Sequence, residues 1–261
     1  MISLFDCISG ASEMGKSFYI MGCVFTSKFP ELSKTIQEYI HSKHHIQIVR
    51  CCVPNYKVQS FREQINTAYR QNWDAIPACA DFAPGDTVYS ICHNCSAILE
   101  ETKPEVNIKS IWELILDDED FVYPDYRGQT VTLQDCWRAR DRAEEQDAVR
   151  KLLRKMNLNV RELPENRMDT EFCGVSLYRP APQRNLEMAP NRFVKNAAGK
   201  FVSHTKEEQI ALMQDYCKRF DGEKVVAYCH YCVEGLQLGG ADVKHLASLL
   251  FECNSWHMDE K

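Results

Sequence analysis

The chain lacks any run of about 18 apolar residues, so neither a membrane-spanning helix nor membrane insertion is expected. It also lacks a long Lys/Arg cluster, and its formal net charge is -6. Nucleic acid is therefore excluded as the main partner, because phosphate binding needs concentrated basic charge. Residues 1–6 show no basic segment followed by a long apolar one. No secretory signal is expected, and a cytoplasmic location follows. Thiols stay reduced there, so 13 spaced cysteines favour metal or redox chemistry over a disulfide framework. That many thiols held for iron would suit an anaerobe. What remains is a chain of 261 residues, 44% hydrophobic and 26% charged, able to bury one large core or two smaller ones.

Nine of the 13 cysteines fall into two constellations of the same order. The first is Cys23, then Cys51-Cys52, then Cys92-His93-Asn94-Cys95; the second is Cys136, then Phe172-Cys173-Gly174, then Cys229-His230-Tyr231-Cys232. One C-x-x-C is weak evidence. A lone cysteine, a pair or near-pair and a C-x-x-C recurring in that order in both halves indicate a duplicated metal-binding unit.

Short β-type runs alternate with amphipathic helical patterns, which predicts an α/β architecture with mainly parallel sheets flanked by helices. In the first half, strands are expected over 18–23, 46–51 and 87–92, and helices over 31–41, over 59–73 and from residue 94 or 95. In the second half, strands are expected over 130–136, 159–163 and 224–229, and helices over 140–156, 206–220 and 243–251. Val149, Leu152, Leu153 and Met156 share one face of the 140–156 helix. The charged stretch 138–154 otherwise reads as a solvated helix face. Lone cysteines and C-x-x-C units then lie at strand ends, where loops in open α/β sheets converge on ligands. An acidic segment leading into Tyr123-Pro124-Asp125-Tyr126-Arg127-Gly128 divides the chain into domains 1–126 and 127–261. The irregular stretch 179–204 reads as an insertion forming a lid or docking surface over the second site.

Thiolates take iron clusters or zinc, and four of them suffice for tetrahedral zinc or a four-iron cluster. A fifth, as in the first half, exceeds both. Adjacent Cys51 and Cys52 reach one centre only through a turn or around a larger cluster, and Val53-Pro54 makes an irregular turn plausible.

The order of lone Cys, Cys-Cys and C-x-x-C resembles the cysteine-rich CCG domain of the heterodisulfide reductase B subunit and its iron-sulfur relatives. The resemblance runs from about residue 21 to 250. It rests most on Met21-Gly22-Cys23, on Val131-Thr132-Leu133-Gln134-Asp135-Cys136 followed by Arg138 and Arg140, and on Phe172-Cys173-Gly174. It implies two pseudo-symmetric Rossmann-like CCG domains and a non-cubane [4Fe-4S] cluster that reduces or cleaves disulfides or passes electrons. Carried over by position, the first site uses Cys23, Cys51, Cys52, Cys92 and Cys95, and the second Cys136, Cys173, Cys229 and Cys232. Val53 stands in place of the family glycine, and Phe172 in place of the first cysteine of the second pair. The second site thus has four ligands and takes a conventional [4Fe-4S] cluster, zinc, or nothing. No compact ferredoxin-type run C-x-x-C-x-x-C-x-x-x-C is present. Electrons are therefore expected from a ferredoxin-like subunit, a flavoprotein, or both, with a small thiol or disulfide as substrate.

Residues 10–17 match the phosphate-loop letters, yet an aromatic, apolar run follows where a helix should start, and no nucleotide site is assigned. His93 and His230 are read as facing solvent at helix starts; the alternative is a role in hydrogen bonding to a cluster or donating protons. Arg138 and Arg140 either offset negative charge near Cys136 or are solvated. Cys7, Cys79, Cys217 and Cys253 are read as small hydrophobes, with Cys217 facing away from the second C-x-x-C. Trp73, Trp112 and Tyr123 are assigned to core or linker packing.

Overall fold

A computed structural model describes residues 15–252. Cys7, Cys253 and the first part of the phosphate-loop match, residues 10–14, lie outside the described residues.

The first half runs β1 (Ser17–Ile20), α1 (Cys23–Lys28), α2 (Pro30–Tyr39), β2 (Gln47–Val49), α3 (Val58–Gln64), α4 (Thr67–Ala75), β3 (Thr87–Ser90), α5 (His93–Thr102), β4 (Asn107–Ser110) and α6 (Ile111–Asp117). The second runs β5 (Thr130–Gln134), α7 (Ala143–Lys155), β6 (Asn159–Glu162), α8 (Gln183–Met188), α9 (Lys206–Cys217), β7 (Val225–Ala227), α10 (His230–Leu238), β8 (Val243–His245) and α11 (Leu246–Phe251). Each half forms a four-stranded, wholly parallel sheet, ordered β2-β1-β3-β4 and β6-β5-β7-β8. With the strands of each half counted from one, the two orders are identical. The protein is α/β with two Rossmann-like sheets flanked by helices, one built from strands within residues 17–110 and the other from strands within 130–245.

Central strands are covered by helices on both faces and read as nearly continuous apolar runs, as in the wholly buried β7. Edge strands admit polar residues, as in β6, Asn-Val-Arg-Glu. The buried apolar residues of both halves form one contiguous core. Helices α6 and α7 pack across the junction, α2 packs on α11, and the Tyr126 hydroxyl donates to the Leu249 carbonyl at 2.9 Å.

Several expected elements divide differently. The 59–73 helix is two helices, because Asn66 breaks it and caps α4 by accepting from the Ala68 N–H. The expected closing helix over 243–251 begins as strand β8, whose three residues extend the sheet beside β7. Strand β4 and helix α6 complete the first sheet without having been expected; α6 opens with a Ser110/Glu113 capping box, a local signal for a helix start. The first strand stops at Ile20. Gly22, at φ 72°, turns the chain so that Cys23 opens a helix instead of ending a strand. After the phosphate-loop letters the chain runs as a strand, as expected: Lys16 precedes β1, not a helix, and its N–H binds the Asp86 carboxylate at 2.8 Å.

Candidate metal centres

Because both halves share one topology, their cysteines arrive at equivalent places. Cys23 follows β1, Cys51 and Cys52 follow β2, and Cys92 and Cys95 lie at the start of α5 after β3. In the second half Cys136 follows β5, Cys173 sits in the connection after β6, and Cys229 and Cys232 lie at the start of α10 after β7. All nine are buried.

At the first site the sulfurs of Cys51, Cys52 and Cys95 lie within 4.8 Å of one another. The Cys23 sulfur is 3.8 Å from that of Cys51, and Cys92 interacts with Cys95. Cys51 is the focus of negative charge: the S–H groups of Cys23, Cys52 and Cys95 hold its thiol far below the usual range. Its donors shift the opposite way, with Cys23 and Cys52 pushed up chiefly by sharing their protons with Cys51. Cys92 is lowered to about 7 by the Cys95 thiol, which outweighs burial, and by the Cys95 N–H in the first turn of α5.

At the second site all four sulfurs lie within 4.8 Å of one another, with Cys136 to Cys173 at 3.4 Å and Cys173 to Cys229 at 3.8 Å. Gly174, at φ 59°, makes this possible, because a Cβ there would stand 2.0 Å from the Tyr231 carbonyl oxygen. The Phe172 ring stacks on Tyr216 of α9 at 4.0 Å, while its carbonyl accepts from the Trp137 N–H and the Cys232 thiol. Arg138 is buried, 3% exposed, and is not solvated. Its Nη1 lies 2.6 Å from the Cys173 sulfur and 2.9 Å from Ser176 Oγ, among the rings of Phe193, Phe201 and Tyr231. Burial alone would lower its pKa, but the neighbouring cysteines, Cys173 foremost and then Cys136, outweigh that and raise it. Arg140 points elsewhere, pairing with Glu171 at 3.1 Å.

The charged stretch 138–154 also proves partly buried. Arg150 crosses the core to Asp135 at 2.7 Å and to Glu162, and Asp135 accepts from the Tyr228 hydroxyl at 2.8 Å and the Arg167 N–H. Asp135 precedes Cys136 and Tyr228 precedes Cys229, so this network ties two ligand-bearing strand ends together. The apolar face at Val149, Leu152, Leu153 and Met156 is fully buried, as its spacing predicts.

Neither C-x-x-C histidine faces solvent. His93 is buried with Nε2 3.0 Å from Glu145 of the other half. Burial would lower its pKa; the Glu145 carboxylate and the Cys229 thiolate prevail and push it up to about 10. The His230 pKa falls to about 4 by burial, and its Nε2 has no hydrogen-bond partner. His93 is enclosed by the other half, through Glu145 and the Tyr228 ring 5.6 Å away, a relation absent from local sequence.

The 179–204 stretch does not cover the second site alone. Phe193 and Phe201 do flank Arg138 there, but α8 packs on α5 of the first half and carries Arg184 to within 3.7 Å of the Cys51 sulfur. No spacing rule pointed to Arg184, which lies 133 residues from Cys51. Cys79 and Cys217 stand outside both groups; each thiol is half-buried and donates to a nearby backbone carbonyl. Trp73 and Trp112 belong to the core, and Tyr123 packs against it.

The two cysteine groups can therefore hold metal: they are buried, convergent, and made of soft donors. The chain matches no protein-family model and no curated protein. No helix among the described residues is long and apolar enough to cross a membrane.

Proposed function

We propose that this protein is an iron-sulfur redox protein of the CCG type, carrying a non-cubane [4Fe-4S] cluster at the first site, and that it passes electrons onward or reduces a small disulfide to its thiols. The observation that carries this reading is the number of thiols at the first site. Five buried cysteines from three strand ends gather there, one more than a mononuclear tetrahedral ion or an ordinary four-iron cluster takes. When bound, the cluster would supply one-electron chemistry. The chain's own residues would hold it through Cys23, Cys51, Cys52, Cys92 and Cys95, exclude bulk water by burying all five, and offset its negative charge. The electron donor is proposed to be a ferredoxin-like subunit or a flavoprotein. Anaerobic purification and reconstitution with iron and sulfide, followed by metal and sulfide analysis, tests the reading. Brown protein with acid-labile sulfide at the first site supports it, and a colourless protein lacking both overturns it.

A second reading applies to the second site. Four sulfurs lie within 4.8 Å of one another there, the number a single tetrahedral ion takes, with no thiol in excess. The second site therefore suits zinc as well as a conventional cluster, and zinc would give that half a scaffold role. If zinc is found in both halves with no visible absorption, the whole protein is a zinc-stabilised scaffold.

A further inference from the structure

Arg184 is a cation without a carboxylate. Among the described residues it makes no ion pair with an Asp or Glu, although it is largely shielded from solvent. Its guanidinium carbon lies 3.8 Å from the centre of the Tyr56 ring, and two of its nitrogens share Asn185 Oδ1 at 3.1 and 3.3 Å. Its third nitrogen, Nη1, is the one at Cys51. A half-buried guanidinium without a carboxylate is best placed beside another source of negative charge. The sulfur it touches is that of Cys51, the focus of negative charge, which lies within 4.8 Å of Cys52 and Cys95 in the most compact part of the first site. Arg184 also belongs to the other half of the chain. Stacking on Tyr56, just beyond Cys51-Cys52, fixes the plane of the guanidinium over that turn.

We propose that Arg184 is a positioning residue of the first site, a counter-cation delivered from the second half that holds the Cys51-Cys52 turn closed on bound metal. The second site carries its own counter-cation in Arg138. Loading of the first centre thus requires the docked second half, whereas the second centre is self-sufficient in positive charge. This rests on the first site being a metal centre, as proposed above.

The test is metal release from the full-length protein to a chelator, after loading with zinc alone and, separately, with iron and sulfide. The release phase missing from Cys52→Ala identifies the first site. Arg184→Gln is expected to weaken retention in that phase about 10- to 100-fold, the usual effect of removing a residue that supports a ligand, and to leave the other phase unchanged. Arg184→Lys keeps the charge and recovers most of the loss, and Tyr56→Leu falls between the two. Wild-type retention in Arg184→Gln, or equal weakening of both phases, overturns the proposal. Equal loss in the Lys and Gln variants overturns it as well, because packing and not charge would then be responsible. Wild-type protein that takes no metal at the first site overturns both this proposal and the reading on which it rests. Zinc retained with no iron uptake overturns the iron-sulfur reading alone.

Discussion

The same position before the lone cysteine is solved in two ways. In the first half it is Gly22, whose missing side chain lets the end of β1 approach the end of β3: a Cβ there would stand 3.2 Å from both Cys92 Cβ and Ile91 Cγ2. In the second half it is Asp135, whose buried carboxylate reaches the Tyr228 hydroxyl at the end of β7 and the Arg150 guanidinium. Close packing joins the ligand-bearing strand ends in one half, and a hydrogen-bonded charge network joins them in the other. The charges differ correspondingly. The first site borrows Arg184 across the domain junction, while the second uses Arg138 from the turn immediately after Cys136. Topology thus fixes where sulfurs arrive, and unrelated residues supply the conditions that let them stay.

The largest expected effect comes from removing a sulfur from each half. Cys52→Ala should abolish the absorption of the first centre and any disulfide-directed activity, with the second centre still loaded. Cys173→Ala should empty the second centre and lower stability, because it leaves the Arg138 guanidinium without its thiolate partner. Metal content and visible spectra of the two variants check this, and loss of both centres in either one would show that the halves do not load separately.

Next is the buried network. Asp135→Ala leaves Tyr228 without its partner and Arg150 with Glu162 as its one carboxylate, and should cost about 3 kcal/mol in urea denaturation, with the second centre weakened more than the first. A cost below about 1 kcal/mol would mean that Asp135 does not hold the strand ends. Gly22→Ala is the matching change in the first half. With φ 72° and close neighbours at Cys92 and Ile91, alanine should cost about 1–3 kcal/mol and weaken the first centre selectively. Equal weakening of both centres would erase the contrast.

The smallest effect is expected at Cys217. Its half-buried thiol donates to the Leu236 carbonyl away from the four sulfurs, so Cys217→Ser should change neither metal content nor stability by more than about 1 kcal/mol. Metal loss in that variant would reveal a fifth ligand in the second half and remove its main difference from the first.

The sequence by itself determined the duplicated order of cysteines, the α/β alternation, and the arrival of ligands near strand ends. These depend on local patterns: apolar runs for β1 and β7, a 3.6-residue stripe at Val149 to Met156, and loops after strands. Short elements escaped where their signal was weak or ambiguous. Strand β8 continues without a break into the apolar α11, and β4 is a polar edge strand. Only the tertiary structure decided the surroundings of the sulfurs. Arg150 and His93 read as surface residues until Asp135 and Glu145 are brought against them, and Arg184 has no meaning in sequence until α8 folds back over the first half. The physical reason is range. Strand and helix follow from the spacing of neighbours, but a buried charge is tolerable only beside its partner, and here the partners lie 15, 52 and 133 residues away.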